Sequence, residues 1–310
     1  MGDARPIGFF DSGVGGLTVL REVGRRLPAE DTVYLGDNER TPYGSRPDDE
    51  VVRFSTECLD ELAGRDVKAI VVACNTSTAV ALPLLRRRYA LPILGVVRPG
   101  ATAAALATRT RAVGVIATPA TVRSHAYFEA IGEEDPFVHV YEHATPELVP
   151  LVEAGLLHGP DVDAAVRRSL APLLGRQMAG DVPSVEADPA FIFPMDTEAR
   201  IDTLLLGCTH YPLLGAAIRR VVGEDIAVID SASATASALA SLIEVHGLGT
   251  RNASPGRHLL LTTGDVRAFE QTAARLFGEP PGVIEQVTLG QASPTRHPLV
   301  AGRVGLRMSG

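Results

Sequence analysis

Lysine is nearly missing from this chain. Lys68 is the one lysine among 310 residues, and the other long basic side chains are all arginines. A pyridoxal-phosphate enzyme holds its cofactor through a lysine Schiff base. Lys68 precedes an apolar run, Ala69–Ala73, that is predicted to be a strand, whereas ligands of open α/β sheets bind beyond the carboxyl ends of strands. We therefore expect no pyridoxal phosphate.

Cysteine is scarce as well. The three cysteines are Cys58, Cys74 and Cys208, and no Cys-x-x-Cys or His-x-x-x-His spacing indicates a metal site. An odd number of cysteines, in a chain without a recognisable export signal, argues against a disulfide framework and favours the cytoplasm. Cys58 lies within a predicted amphipathic helix, where it is expected to be a packing residue.

Long apolar runs and an excess of positive charge are also lacking. No stretch approaches the 18 or so consecutive apolar residues of a transmembrane helix, so no membrane partner is expected. The formal net charge is −8, and no stripe of arginines with interleaved aromatic residues is present. Direct binding of nucleic acid is therefore not expected.

Aromatic residues make up only 5 % of the chain and tryptophan is absent, so the core must be aliphatic. Apolar strands alternate with helices throughout, and chemically capable side chains follow the strand ends. This pattern predicts a doubly wound α/β fold in two similar halves. We expect a first domain from residues 1–97 plus about 212–310, and a second from about 98–211, with the crossing at Arg98-Pro99-Gly100. Residues 180–198 and 295–310 are predicted to be an irregular surface loop and a weakly ordered tail.

Two cysteines occupy matching positions in this pattern. Thr203–Leu214 reads TLLLGCTHYPLL, an apolar strand that ends at Cys208 before a helix, where amide dipoles favour a thiolate. A lone cysteine in such a place is more often inert packing. The pattern occurs twice, however: in AIVVACNTST another strand ends at Cys74, with a helix predicted from Ala79. Two thiols in equivalent settings indicate two halves that face each other across a cleft.

Other strand ends carry polar side chains. Asp11-Ser12 begins a glycine-rich loop that fits neither phosphate-binding motif, and the Asp11 carboxylate would repel a phosphate. This carboxylate suits an ammonium group or a proton-transfer partner, or it simply caps the following helix. Tyr43-Gly44 lies in a polar loop after the second strand, which is typical of a lid or a binding turn.

A matched pair of thiols suits inversion at a carbon atom. One thiolate removes a proton, and the opposite thiol delivers a proton to the other face. Asp11 would assist one thiol and His210 the other. Hydroxyl and amide side chains, with backbone N–H groups at helix starts, would hold a carboxylate substrate. These side chains belong to Ser12, Asn75, Thr76, Thr118, Thr121 and Thr209.

The motifs FDSGVGGLTVLRE, YLGDNERTPYGSR, VVACNTST, VGVIATPATVRSHAY and LLLGCTHYPLL together resemble those of the cofactor-independent aspartate/glutamate racemases. The resemblance runs from Ile7 to about Leu289. It implies two pseudo-symmetric α/β domains with the active site between them, glutamate as substrate, D-glutamate for peptidoglycan synthesis, and a homodimer. It also implies that Cys74 and Cys208 are the proton donors and acceptors, that Asp11 and His210 assist them, and that Glu153 is a further assistant. The residues implied to bind glutamate are Asp11, Ser12, Tyr43, Gly44, Asn75, Thr76, Thr209 and His210.

Three other functions remain open at this stage. The substrate could be aspartate or another amino acid of the same racemase family. A non-catalytic amino-acid binding protein would not need two thiols at equivalent strand ends. A hydrolase or amidotransferase with Cys208 as nucleophile and His210 as base would leave Cys74 unexplained. The sequence departs from the family pattern at Ser77-Thr78, at Ala144, where a cysteine is common, and at Glu147, and none of these changes affects Cys74 or Cys208.

Overall fold

The computed structural model describes residues 2–178, 200–278 and 282–290. The predicted surface loop 180–198 and the predicted tail 295–310 lie outside these ranges. Within them, ten strands alternate with eleven α-helices and one 3-10 helix. None of the helices in the described ranges is both long enough and apolar enough to cross a membrane.

The ten strands are β1 (Ile7–Asp11), β2 (Thr32–Gly36), β3 (Ala69–Val72), β4 (Ile93–Gly95), β5 (Ala112–Ala117), β6 (His139–Ala144), β7 (Thr203–Gly207), β8 (Ala227–Asp230), β9 (His258–Thr262) and β10 (Val283–Gln286). The helices are α1 (Leu17–Arg26), α2 (Asp48–Gly64), α3 (Asn75–Arg88), α4 (Val97–Ala107), α5 (Pro119–Arg123), α6 (Ala126–Glu134), α7 (Leu148–Glu153), α8 (Pro160–Met178), α9 (Gly215–Val222), α10 (Ser231–Val245) and α11 (Val266–Phe277). The 3-10 helix is Tyr211–Leu214.

The strands form two parallel sheets, which confirms the predicted α/β fold. The six-stranded sheet has the order β10-β9-β2-β1-β3-β4, and the four-stranded sheet has the order β6-β5-β7-β8. The central strands β1, β3, β5 and β7 are buried along their whole length because helices cover both faces. Asp11 ends β1, and Cys74, Thr118 and Cys208 follow the carboxyl ends of β3, β5 and β7.

The chain leaves the six-stranded sheet after β4 and returns to it only at β9. The domain boundary predicted near residue 212 does not coincide with this topology, because β8 pairs with β7 in the four-stranded sheet. Arg98-Pro99-Gly100, expected as a crossing loop, instead forms the first turn of α4. Pro99 is tolerated there because a proline in the first turn removes no helical hydrogen bond.

Lys68 lies at the amino end of β3, away from the Cys74 loop. Its ammonium group pairs with the buried Glu30 carboxylate and donates to the carbonyl oxygen of Asp3 at 2.8 Å. The lysine is only 1 % exposed. The single lysine therefore joins the start of the chain to the sheet, at the strand end opposite the cysteine loops.

Candidate active site

A cavity of about 180 Å³ lies between the two sheets, at the carboxyl ends of their strands. Both Cys74 and Cys208 line it, so the two matched strand ends face one space. Ten of the residues singled out in the sequence line this cavity: Ser12, Tyr43, Gly44, Cys74, Asn75, Thr76, Thr118, Cys208, Thr209 and His210. The other three, Asp11, Thr121 and Glu153, lie behind lining residues and contact them through hydrogen bonds.

Cys74 is the N-cap of helix α3, which begins at Asn75 rather than at the expected Ala79. The residue has an extended backbone, and its Sγ accepts the backbone N–H of Ser77 at 3.4 Å, so the thiol itself caps the helix. Sγ in turn donates to Ser12 Oγ at 3.5 Å. Burial, together with the nearby Asp11 carboxylate, raises the pKa of Cys74 to about 11. At neutral pH this residue is therefore a thiol, which is the form that delivers a proton.

Asp11 is fully buried between the Cys74 loop and the Cys208 loop. Its Oδ2 accepts the backbone N–H of Gly13 at 3.1 Å, and its Oδ1 accepts the hydroxyl of Thr209 at 3.4 Å. Burial raises the pKa of this carboxyl group, although the positive charge of His210 opposes that change. Asp11 also accepts the N–H of Gly16 ahead of α1, so it holds the glycine-rich turn as well as facing the thiol loops.

Cys208 belongs to a second group of titratable side chains. Its Sγ lies 3.8 Å from His210 Nδ1, and His210 Nε2 lies 2.6 Å from Glu153 Oε1 at the end of α7. His210 is 3 % exposed. Burial lowers the pKa of His210, but the hydrogen bonds with Cys208 and Glu153 outweigh burial and raise that pKa well above its usual value. The charged imidazole of His210 therefore lies between the Cys208 sulfur and the Glu153 carboxylate.

Replacing Glu153 by glutamine is expected to lower the pKa of His210, because the amide keeps the shape of the side chain and removes its charge. The imidazole titration of His210, followed by NMR with ring-labelled histidine, measures this pKa. Glu244→Gln on α10 is the matched control, since Glu244 is exposed and has no contact with the cavity. An unchanged pKa of His210 in Glu153→Gln would contradict the conclusion that Glu153 raises that pKa.

Three threonine hydroxyls form a small cluster where the two halves meet. Thr76 Oγ1 lies 2.9 Å from Thr118 Oγ1 and 3.4 Å from Thr121 Oγ1, and Thr118 Oγ1 lies 3.0 Å from Thr121 Oγ1. Thr76 comes from α3, whereas Thr118 and Thr121 come from the start of α5. The cluster therefore joins the two halves, and two of its members, Thr76 and Thr118, line the cavity.

The Tyr43-Gly44 loop closes one side of the cavity. The Tyr43 hydroxyl donates to the buried Asp37 carboxylate, so this hydroxyl is already engaged within the loop. Gly44 packs so closely that a Cβ atom there would lie 2.5 Å from Thr118 Cβ. Its carbonyl oxygen accepts the N–H of Ala120 at 2.9 Å. The loop thus lines one side of the cavity and links the two halves through the hydrogen bond between Gly44 and Ala120.

Sequence reasoning missed eight lining residues: Thr41, Pro42, Ser45, Pro119, Thr145, Pro146, Val149 and Pro150. The first three flank the Tyr43-Gly44 loop, and Pro119 follows Thr118, so a wider reading of those loops would have included them. Thr145 and Pro146 follow β6, whose strand end was the available signal. Val149 and Pro150 on α7 could not be predicted from the sequence, because apolar residues that line a cavity form no recognisable motif.

The arrangement is suited to proton transfer between opposite sides of one ligand. Each half supplies a thiol, and each thiol lies near a carboxylate or a carboxylate–imidazole pair. In the described ranges no group of three or more metal-ligating side chains comes together.

Comparisons with known proteins point to one family. The Asp/Glu/Hydantoin racemase family model matches residues 8–180. A glutamate racemase from Exiguobacterium sibiricum is 40 % identical over 276 residues, which cover 89 % of this chain and 93 % of that protein. The crystal structure of a glutamate racemase isoform from Bacillus anthracis has a TM-score of 0.81 at 39 % identity, covering 92 % of this chain and 97 % of that one. A glutamate racemase from Francisella tularensis, in complex with D-glutamate, has a TM-score of 0.78 at 29 % identity, covering 92 % and 98 %. The chain belongs to the Asp/Glu/Hydantoin racemase family.

Proposed function

We propose that this protein is an isomerase that interconverts L- and D-glutamate by proton transfer at the α-carbon, without a cofactor. The observation that carries the proposal is the presence of two thiols, from matched strand ends of two sheets, in the lining of one cavity. The substrate is supported by the relatives, which are glutamate racemases at about 40 % identity over most of the chain. A neighbouring structure with D-glutamate bound adds to that support.

In the proposed reaction one thiolate takes the α-proton of glutamate, and the opposite thiol then gives its own proton to the other face of the carbanion. The two sulfur atoms end in exchanged protonation states, so the reverse reaction uses the same groups with exchanged roles. After product release, proton exchange with solvent restores the original protonation states of the two sulfur atoms. Cys74 and Cys208 fill these roles, with Asp11 assisting Cys74 and His210 with Glu153 assisting Cys208.

The high pKa of Cys74 is useful in such a reaction. The α-proton of an amino acid is a weak acid, and a thiolate whose conjugate acid has a pKa of about 11 is a stronger base than an ordinary thiolate. Such a thiol must first lose its proton. The raised pKa of Asp11 makes its carboxylate a better acceptor for that proton than a solvent-exposed aspartate.

Substrate binding is assigned to the polar groups around the thiols. We propose that the α-carboxylate accepts hydrogen bonds from Asn75 and from the hydroxyls of Thr76 and Thr209, with Ser12 near the reacting carbon. Thr118 and Thr121 hold Thr76, and Tyr43-Gly44 closes the cavity over the substrate. The negative charge of Asp11, which lies behind the lining residues, favours the ammonium group of the substrate in the cavity.

Proton exchange in D2O tests the proposal. Purified protein, stripped of pyridoxal phosphate, is mixed with L-glutamate, while NMR follows the α-proton and circular dichroism follows the optical activity. We expect deuterium uptake together with loss of optical activity, and much slower change with L-aspartate. Faster exchange with aspartate would assign the aspartate specificity instead. No exchange with either amino acid would contradict racemisation. It would favour a hydrolase or amidotransferase in which Cys208 is the nucleophile and His210 the base.

The remaining assignments follow from this function. We propose that the protein acts in the cytoplasm as a homodimer and supplies D-glutamate for peptidoglycan synthesis. A single-nucleophile hydrolase is less well supported, because Cys74 lines the same cavity as Cys208 and itself caps helix α3. A binding protein without catalysis would have no use for the carboxylate and imidazole groups next to the two thiols.

A further inference from the structure

The side-chain amide of Asn75 is satisfied on one side only. Its Oδ1 accepts a hydrogen bond from the Tyr127 hydroxyl at 2.5 Å. Its Nδ2 is buried and has no partner in the part of the chain that the structure describes. Asn75 is 2 % exposed and lines the cavity. A buried N–H group without an acceptor is costly, so a carboxylate ligand in the cavity would gain by accepting from Nδ2.

A third residue, Ser231 at the start of α10, acts on the Tyr127 hydroxyl. Burial raises the pKa of Tyr127 above the usual value for tyrosine, so the hydroxyl keeps its proton, and hydrogen bonding with the Ser231 side chain opposes that rise. A phenol that accepts from Ser231 has its own O–H left to donate to Asn75 Oδ1. This donor turns Oδ1 of the amide toward Tyr127 and leaves Nδ2 for a ligand.

The ring of Tyr127 is held between the two thiol loops. A Cβ atom on Gly207, the residue before Cys208, would lie 2.8 Å from Tyr127 Cε2, so only glycine fits there without a shift. On the other side, Asn75 directly follows Cys74. Tyr127 belongs to α6 in the half with the four-stranded sheet, whereas Asn75 begins α3 in the other half. The hydrogen bond therefore joins the two halves at the cavity.

We propose that Tyr127, which does not line the cavity, is a positioning residue that fixes the orientation of the Asn75 amide, so that Nδ2 donates to the carboxylate of the amino-acid substrate. The proposal rests on the racemase function proposed above. A half-turn of the amide would present Oδ1 to the carboxylate, and two acceptors would then face each other. The hydrogen bond from Tyr127 thus disfavours the orientation of the Asn75 amide that would repel the substrate carboxylate.

Tyr127→Phe tests this role, because phenylalanine keeps the ring against Gly207 and removes only the hydroxyl. We expect KM for L-glutamate to rise about tenfold, which corresponds to losing one hydrogen bond to a charged group. We expect kcat to stay within about twofold, since the two thiols and their assistants are untouched. In an Asn75→Ala background, which itself raises KM, adding Tyr127→Phe should change KM no further, because Tyr127 acts through Asn75.

Two further variants complete the experiment. Tyr89→Phe is the matched control: its hydroxyl binds Asp60 Oδ1 at 2.7 Å, away from the cavity, and KM should not change. Ser231→Ala leaves Tyr127 and Asn75 intact and releases the hydroxyl proton, so KM should rise about threefold. This variant tests the proposal even if Tyr127→Phe fails to fold, which thermal unfolding would reveal.

The outcomes separate this proposal from the function on which it rests. An active wild-type enzyme with an unchanged KM in both Tyr127→Phe and Ser231→Ala would overturn the positioning role alone. Additive effects of Asn75→Ala and Tyr127→Phe would also overturn it, because they would show that Tyr127 acts by another route. A wild-type protein that does not exchange the α-proton of glutamate would contradict the racemase function itself.

Discussion

Replacing either Cys74 or Cys208 by serine is expected to reduce racemisation of glutamate by about 1,000-fold or more, while the fold stays intact. A serine hydroxyl is a far weaker acid than a thiol, so it supplies neither the base for one enantiomer nor the acid for the other at neutral pH. Both directions must fail together, because each turnover uses both side chains. Circular dichroism of the amino acid, followed from each enantiomer, measures the loss.

Residual proton exchange distinguishes the two variants. The thiol that remains still faces one enantiomer and can remove and return a proton on that side. In D2O we expect any remaining α-deuterium uptake to occur without inversion. In each variant it should occur from one enantiomer only, and the two variants should act on opposite enantiomers. Uptake from both enantiomers in either variant would mean that the replaced cysteine is not the acid–base group for its face of the substrate.

Cys58→Ala is the control for these substitutions. Cys58 is a buried cysteine on α2, with Arg40 Nη2 at 3.8 Å from its Sγ, and it does not line the cavity. Its loss should alter the midpoint of thermal unfolding and leave the rate of racemisation within about twofold. Full activity in Cys74→Ser or Cys208→Ser, measured beside this control, would refute the two-thiol mechanism.

The fold and the positions of the thiols could be predicted because they depend on local pattern and strand direction. Apolar runs such as Ala69–Val72 and Thr203–Gly207 are buried on both sides, which is typical of strands in a parallel sheet. In such a sheet all carboxyl ends lie at one edge. Side chains that follow those strands, including Cys74 and Cys208, therefore gather without any need to know the packing of the helices.

Residues that depend on helix packing could not be found in the same way. Glu153 at the end of α7 was suggested only by the family resemblance, since its approach to His210 depends on where α7 lies against the four-stranded half. Tyr127 was not singled out at all: a tyrosine in a helix is usually a core residue, and its contact with Asn75 appears only when the two halves meet. The boundary near residue 212 failed to match because strand β8 has the same local pattern whichever sheet it joins.

Replacing Asp11 by asparagine is expected to slow racemisation about 100-fold and, at the same time, to make Cys74 easier to alkylate. Asparagine is isosteric but cannot accept the thiol proton, so the assistance to Cys74 is lost. Burial and the negative charge of Asp11 together raise the pKa of Cys74 to about 11. Removing that charge lowers the pKa, so a larger fraction is thiolate at any pH below it, and thiolate is the form that reacts with iodoacetamide. The alkylation profile of Cys74, followed by mass spectrometry, should therefore shift to lower pH.

These opposite changes separate a proton-transfer role for Asp11 from a purely structural one. Because the two enantiomers have equal free energy, kcat/KM must fall equally in both directions, and the asymmetry appears in the isotope effect. The α-deuterium effect should grow for the enantiomer that Cys74 deprotonates and not for the other. Asp265→Asn is the matched control, since Asp265 only caps α11 through the N–H of Ala268, and asparagine caps equally well. If Asp11→Asn behaved like Asp265→Asn, with racemisation and alkylation both unchanged, Asp11 would serve only to hold the turn before α1, and proton transfer to Cys74 would need another base.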